Sequence, residues 1–195
     1  RSIGSALVHW PTEQVVKCLL FYHPDDQPTL RLEQEEAVLE LWEATRESGN
    51  ELLLEIIPPK DMTPEGTADA TVLRAVKRFY DLGVKPEWWK LAPMQTRGWA
   101  ELEALIGERD RHCRGAVILG LNQPLGFLAA SFANATNPIV KGFMVGRTLW
   151  AETYDRDLAD VVHAHLRPGD VVVCMSSGDF GGLPRRLLDR LGGAT

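Results

Sequence analysis

Short apolar runs alternate with amphipathic segments along most of this 195-residue chain, and this alternation restricts the fold more than any other feature. The apolar runs are typical of strands and cover residues 15–22, 52–57, 88–91, 116–121, 139–145 and 171–175. The segments between and after them show helical spacing over residues 30–48, 68–82, 99–106, 125–135, 149–166 and 183–191. Most of the apolar runs are continuous, as in strands that are covered on both faces. The pattern therefore predicts an α/β fold with a parallel sheet and right-handed crossovers.

Two parallel architectures fit this alternation: an open doubly wound sheet and a (β/α)₈ barrel. Six βα units make a plausible open sheet but are too few for a complete barrel, which takes about 250 residues. Neither of the glycine-rich phosphate-binding motifs, Gly-x-Gly-x-x-Gly or Gly-x-x-x-x-Gly-Lys-Ser/Thr, follows the first run. Their absence argues against a nucleotide-binding domain.

Charge and cysteine usage exclude several classes of function. The net charge of −6 argues against a broad electrostatic surface for nucleic acid or anionic membranes, although it allows a local phosphate pocket. No apolar run reaches 18 residues, so we expect no transmembrane helix. The three cysteines are far apart and form no Cys-x-x-Cys pair, and no secretory signal opens the chain. These features predict a cytoplasmic protein without a metal site.

Charged residues interrupt several of the apolar runs, namely Lys17, Glu55, Lys90 and Lys141. A buried charge is costly unless it is paired or used. A lysine in an apolar, cationic setting has a lowered pKa and can act as a free amine nucleophile toward a ketone, with a nearby carboxylate moving protons. The alternative is a structural Lys–Glu ion pair between neighbouring strands, and the spacing alone leaves both interpretations open.

Two turns carry further candidates for binding. Gly146 and Arg147 end one apolar run and open a helical segment, which suits a phosphate, and Gly120 after the preceding run can add backbone amides. The alternative for Arg147 is an ion pair with an acidic neighbour. His23-Pro24-Asp25-Asp26 follows the first run, where a Pro-Asp turn is favoured over a substrate-facing loop.

Five segments carry a family resemblance over about residues 9–150. They read VKCLLFYHPDD (16–26), ELLLEII (51–57), PEWWKL (86–91), CRG (113–115) with LGL (119–121), and VKGF (140–143) through VGRT (145–148). These segments resemble the aldolase-like domain of unknown function 2090, which follows the sugar kinase in bacterial 5-dehydro-2-deoxygluconokinases of myo-inositol catabolism. That domain is in turn similar to class I tagatose-bisphosphate aldolase, a (β/α)₈ barrel.

The resemblance implies a role for each matching residue. Lys90 matches the Schiff-base lysine, Lys17 a lysine near the substrate, and Glu55 the carboxylate that shuttles protons. Arg147, with Gly146, matches the phosphate clamp. The implied activity is that of a carbon–carbon lyase without a metal or other cofactor. It would cleave 2-deoxy-5-keto-gluconate 6-phosphate to dihydroxyacetone phosphate and malonate semialdehyde.

The resemblance also implies that the first three strands of the family's barrel precede Arg1, so that this chain supplies strands four to eight. The alternative function is a non-catalytic fragment or accessory module that packs against a sugar-kinase domain. An incomplete barrel exposes strand edges, through which copies of the chain can associate.

The end of the chain resembles a different family. Residues 167–183, RPGDVVVCMSSGDFGGL, with Leu187 and Leu188, are similar to the end of Mur-type ligases, closest to the murein tripeptide-recycling ligase. This likeness covers about 30 residues and lacks the ATP-binding domain of those ligases, so it does not imply ligase activity. The sequence thus predicts a partial barrel domain over residues 1–153 and an appended βα unit over residues 154–195.

Overall fold

The computed structural model describes residues 3–121, 123–146, 160 and 183–192. The chain divides into two compact units, Arg1–Val145 and Gly146–Thr195. The elements of the first unit are α1 (Ile3–Leu7), β1 (Val16–Phe21), α2 (Pro28–Ser48), β2 (Leu52–Ile57), α3 (Ala68–Asp81), β3 (Trp88–Leu91), α4 (Thr96–Arg109), β4 (Gly115–Leu119), α5 (Leu125–Asn134) and β5 (Val140–Met144). The second unit contains α6 (Leu183–Gly192).

The first five predicted strands and the helices between them are confirmed, with small differences at their ends. The predicted strand over residues 171–175 lies outside the described residues. So does the predicted helix over residues 149–166, apart from the helical Asp160. The short helix α1 was not predicted, since five residues are too few to show a helical period. No helix in the described part of the chain is long and apolar enough to cross a membrane.

The five strands form one parallel sheet in the order β1-β2-β3-β4-β5. A doubly wound sheet reverses its strand order at a switch point, whereas the strands of a (β/α)₈ barrel follow one another in sequence. The order of the strands in the described part of the chain contains no reversal. It therefore confirms the α/β class with parallel βα units and is consistent with part of a TIM-type barrel.

The main core lies between one face of the sheet and the helices. Every second residue of a strand lies on this face, and residues that are aligned across the strands share it. Leu54, Trp89 and Ala116 are one such aligned set. They pack with buried apolar residues of α2, α3 and α4, among them Phe79 and Trp99. We call this side of the sheet the helix face. The opposite side, which carries the intervening strand residues, is the second face.

A buried carboxylate joins three elements beside this core. Glu35 of α2 is 2% exposed and accepts a hydrogen bond of 2.7 Å from the hydroxyl of Tyr22, directly after β1. Arg78 of α3 donates to both oxygens of Glu35, from Nε at 3.0 Å and from Nη2 at 2.7 Å. Arg31 lies 3.6 Å from the same carboxylate. The hydrogen-bond donors of Tyr22 and Arg78 therefore satisfy the buried carboxylate of Glu35. These contacts connect α2 with α3 and with the end of β1.

Gly115, the first residue of β4, has a backbone conformation that only glycine adopts easily, with φ at +140°. A Cβ there would lie 2.6 Å from the carbonyl oxygen of Ile139 and 2.7 Å from Cγ of Lys141. We expect Gly115→Ala to lower the free energy of unfolding by about 2 kcal/mol, because it adds strain and a backbone clash. Urea denaturation measures the change.

Gly107 provides the matched control for this substitution. It lies on the exposed side of α4, and a Cβ there meets nothing within 4 Å. Gly107→Ala should raise the free energy of unfolding by about 0.5–1 kcal/mol, since alanine loses less backbone entropy in a helix. Equal effects of the two substitutions would contradict the strain assigned to Gly115.

The sequence predicts that copies of the chain associate through exposed strand edges, and the sheet has two such edges in the described residues. In the described residues, β1 and β5 each pair with a neighbour on one side only. Leu19 and Phe21 of β1 are exposed on the second face. Association of copies through these edges stays a prediction.

Candidate functional site

The strand register brings the predicted reactive residues to one side of the sheet. Leu19, Glu55 and Lys90 are aligned across β1, β2 and β3. Lys17 precedes Leu19 by two residues and so shares its face, because side chains alternate along a strand. Lys17, Glu55 and Lys90 therefore all belong to the second face, opposite the main core.

The three side chains meet at one oxygen atom. Oε2 of Glu55 lies 2.7 Å from Nζ of Lys17 and 3.2 Å from Nζ of Lys90. The Glu55 side chain is 5% exposed and that of Lys90 is 11% exposed, whereas that of Lys17 is 34% exposed. The structure thus brings together the three residues that the sequence nominated for Schiff-base chemistry. We call them the Lys–Glu–Lys cluster.

Burial dominates the electrostatics of Lys90. Removal from water lowers the pKa of its amine below the ordinary value, and the positive charge of Lys17 adds to this effect. The negative charge of Glu55 acts in the opposite direction, but the pKa of Lys90 remains lowered. A buried lysine with a lowered pKa has a larger fraction of free amine near neutral pH, which is the form that attacks a carbonyl carbon.

The structure describes two of the three predicted phosphate-binding residues, Gly120 and Gly146. Gly120 is buried directly after β4, and its carbonyl accepts a hydrogen bond of 3.0 Å from the amide of Gln123. Leu121 follows with a positive φ of 49°, so the turn at this strand end is strained. Gly146 is exposed and opens the second compact unit. Arg147 lies outside the described residues, so its phosphate contact stays a prediction.

A second group of polar side chains gathers after β1, where the sequence favoured only a turn. His23 is buried, and the guanidinium of Arg74 on α3 forms a two-pronged ion pair with Asp25. Sequence reasoning did not single out Arg74. The arginine is 49 residues from Asp25 along the chain, and only the packing of α3 beside the loop after β1 brings the two together.

The arrangement of potential metal-ligating side chains does not indicate a metal centre in the described part of the chain. There, no three His, Cys, Asp or Glu side chains are grouped so that they could hold a metal ion. The two described cysteines, Cys18 and Cys113, are free thiols. Burial raises the pKa of Cys113 to about 11, which disfavours its reactive thiolate form.

The sequence model of the family described as "Uncharacterized protein conserved in bacteria (DUF2090)" matches residues 1–165, and the chain therefore belongs to this family. No curated protein matches the chain. The family match extends past residue 153, where the sequence predicted the end of the barrel domain. The division into domains at that residue stays a prediction.

Proposed function

We propose that this member of the DUF2090 family is a class I aldolase that forms a Schiff base through Lys90. The observation that carries the proposal is the Lys–Glu–Lys cluster, in which two lysines share one buried carboxylate oxygen. It supplies an amine with a lowered pKa and an adjacent proton-transfer group. The cluster lies on the second face of a sequentially ordered parallel sheet, which corresponds to the interior of a barrel.

The proposed reaction begins with attack of the free amine of Lys90 on the ketone carbon of the substrate. The carbinolamine that forms loses water and leaves a protonated imine. Glu55 then accepts the proton of the hydroxyl on the β carbon, the bond between the α and β carbons breaks, and the electron pair moves into the imine to give an enamine. An aldehyde leaves at this point. Protonation of the enamine and hydrolysis release the ketone product and restore Lys90.

Lys17 has a supporting role in this proposal. Its positive charge lowers the pKa of Lys90, and its Nζ lies 2.7 Å from Oε2 of Glu55, the proposed proton acceptor. The proposed substrate class is a phosphorylated keto sugar, with 2-deoxy-5-keto-gluconate 6-phosphate as the compound that the family resemblance implies. Gly120, Gly146 and Arg147 remain the proposed contacts to its phosphate.

Borohydride trapping tests the proposal directly. The folded chain is incubated with dihydroxyacetone phosphate and sodium borohydride, and the adduct is located by intact mass and peptide mapping. We expect one reduced adduct on Lys90 and none in Lys90→Met. Lys85→Met is the matched control, because Lys85 is exposed and lies outside the Lys–Glu–Lys cluster, and it should trap as the unchanged chain does.

Circular dichroism on the same samples separates loss of chemistry from loss of folding. A folded chain that yields no adduct, or adducts spread over exposed lysines, would reject the imine mechanism. The cluster would then be a structural ion-pair network, and the alternative of an accessory module for a kinase domain would be favoured.

A further inference from the structure

The residues of the proposed aldolase site follow the order of the strands. Gly120, a proposed phosphate contact, comes directly after β4, Lys90 lies on β3 and Glu55 lies on β2. Neighbouring strands of a sheet are about 4.8 Å apart, so these groups are spaced along one direction across the sheet. The next strand in that direction is β1.

A substrate of the proposed reaction has its groups in the same linear order. Its phosphate, which stays with the ketone product, belongs at Gly120, and its ketone carbon bonds to Nζ of Lys90. The hydroxyl of its β carbon gives a proton to Glu55. The carbons beyond the β carbon, which leave with the aldehyde, therefore lie past Glu55 and over β1.

The second face is open beside β1 and closed beside β4. Leu19 of β1 is aligned with Glu55 and is 41% exposed, and Phe21 on the same face is 61% exposed. On the other side of Lys90, the aligned Val117 of β4 is only 9% exposed. Two large apolar side chains thus stay accessible next to a buried reactive carboxylate, at the position where the aldehyde fragment belongs.

The polar side chain of β1 on this face and the carbonyl at the end of the strand already have partners. Lys17 forms its ion pair with Oε2 of Glu55 at 2.7 Å. The carbonyl of Phe21 accepts a hydrogen bond of 2.9 Å from Nε2 of Gln34. A hydroxyl that packs against Leu19 or Phe21 would lose hydrogen bonds with water at a cost in free energy, whereas a methylene gains by leaving water.

We propose, building on the proposed aldolase function, that Leu19 and Phe21 are specificity-determining residues that bind the aldehyde fragment. They select an aldehyde whose carbon next to the carbonyl carries no hydroxyl group. Neither side chain takes part in proton transfer, so their effect is on the choice of aldehyde.

The reverse reaction reports this choice, because the ketone forms the imine and only the added aldehyde meets β1. Glu55 removes a proton from the α carbon of the imine that dihydroxyacetone phosphate forms with Lys90. The resulting enamine attacks the aldehyde carbon, Glu55 returns the proton to the aldehyde oxygen, and water releases the product from Lys90. Liquid chromatography with mass spectrometry of the phosphorylated product gives kcat/KM for propanal and for glyceraldehyde. These two aldehydes share a three-carbon chain and differ in their hydroxyl groups.

We expect the unchanged chain to prefer propanal over glyceraldehyde by about tenfold or more. Leu19→Asn should lower this preference at least about fivefold, because its amide can pair with a hydroxyl, and Leu19→Met should keep it within about twofold. Leu32→Asn is the matched control, since Leu32 is 48% exposed on α2, and it should leave the preference in place. Circular dichroism checks that each variant is folded.

Borohydride trapping with dihydroxyacetone phosphate separates a failure of this inference from a failure of the proposed function. A chain that traps the ketone at Lys90 but uses both aldehydes equally, or neither, keeps the Schiff base and overturns the selection by β1. An unchanged preference in Leu19→Asn would also overturn it and would leave the exposed β1 surface to the predicted association of copies. A folded chain without an adduct on Lys90 would reject the proposed function and this inference with it.

Discussion

Glu55→Gln and Lys17→Met should change the reactivity of the Lys90 amine in opposite directions. Glu55 raises the pKa of Lys90 and Lys17 lowers it, against a background of burial that lowers it further. Glu55→Gln should therefore move the pH midpoint of Lys90 labelling downward, and Lys17→Met should move it upward. A nearby charge changes a pKa by about one unit or more, so each midpoint should move by about one pH unit.

Labelling of Lys90 with an amine-selective reagent across a pH series, read by peptide mapping, measures these midpoints. The plateau at high pH reports accessibility, so the midpoint is independent of any change in exposure. Lys85→Met is again the control and should leave the midpoint in place. If both substitutions move the midpoint in the same direction, charge coupling within the Lys–Glu–Lys cluster does not set the pKa of Lys90.

The Lys–Glu–Lys cluster was predictable from the sequence because each of its members interrupts an apolar run. A charge within a continuous run must be paired or functional, and consecutive parallel strands place such charges side by side. The sequence did not predict that Glu55 and Lys90 are aligned in the sheet. Nor did it predict that Lys17, which lies two residues before the position aligned with Glu55, contacts the same carboxylate oxygen. Those facts depend on strand stagger, which composition and spacing do not encode.

The ion pair between Asp25 and Arg74 was harder to foresee, for a physical reason. His23 and Asp25 follow β1, and the local sequence there is satisfied by a turn. Arg74 lies on a helix whose pattern is that of an ordinary amphipathic surface. Only the packing of α3 beside the loop after β1 brings these residues together.

The positions of the helices and strands were predictable from local sequence, whereas contacts between distant residues were not. Apolar runs and helix-stop glycines such as Gly49, which has a positive φ at the end of α2, located the elements to within a few residues. The Tyr22–Glu35–Arg78 contact was not predicted. Glu35 lies three residues before Val38 on the buried side of α2, and that position was the available signal for a carboxylate facing the core.

Glu35→Ala should lower the free energy of unfolding by about 3 kcal/mol, because it leaves the buried hydroxyl of Tyr22 without an acceptor and Arg78 without its counter-charge. Urea denaturation measures the loss. Glu36→Ala is the matched control: Glu36 is the exposed neighbour on the same helix, and its loss should change stability by less than about 0.5 kcal/mol.

The effect of Glu35→Ala should also depend on pH in a defined direction. Burial alone would raise the pKa of Glu35, but hydrogen bonds from Arg78 and Tyr22 outweigh it and hold the pKa below its ordinary value of 4.5. A carboxylate whose pKa is lowered on folding stabilises the protein above that ordinary value and loses the contribution as the pH falls through the folded pKa. The stability difference between the unchanged chain and Glu35→Ala should therefore be constant near neutral pH and shrink below about pH 4.5. A difference that grows on acidification would mean that the protonated carboxyl is the stabilising form, and that Tyr22 and Arg78 do not hold Glu35 as an ion.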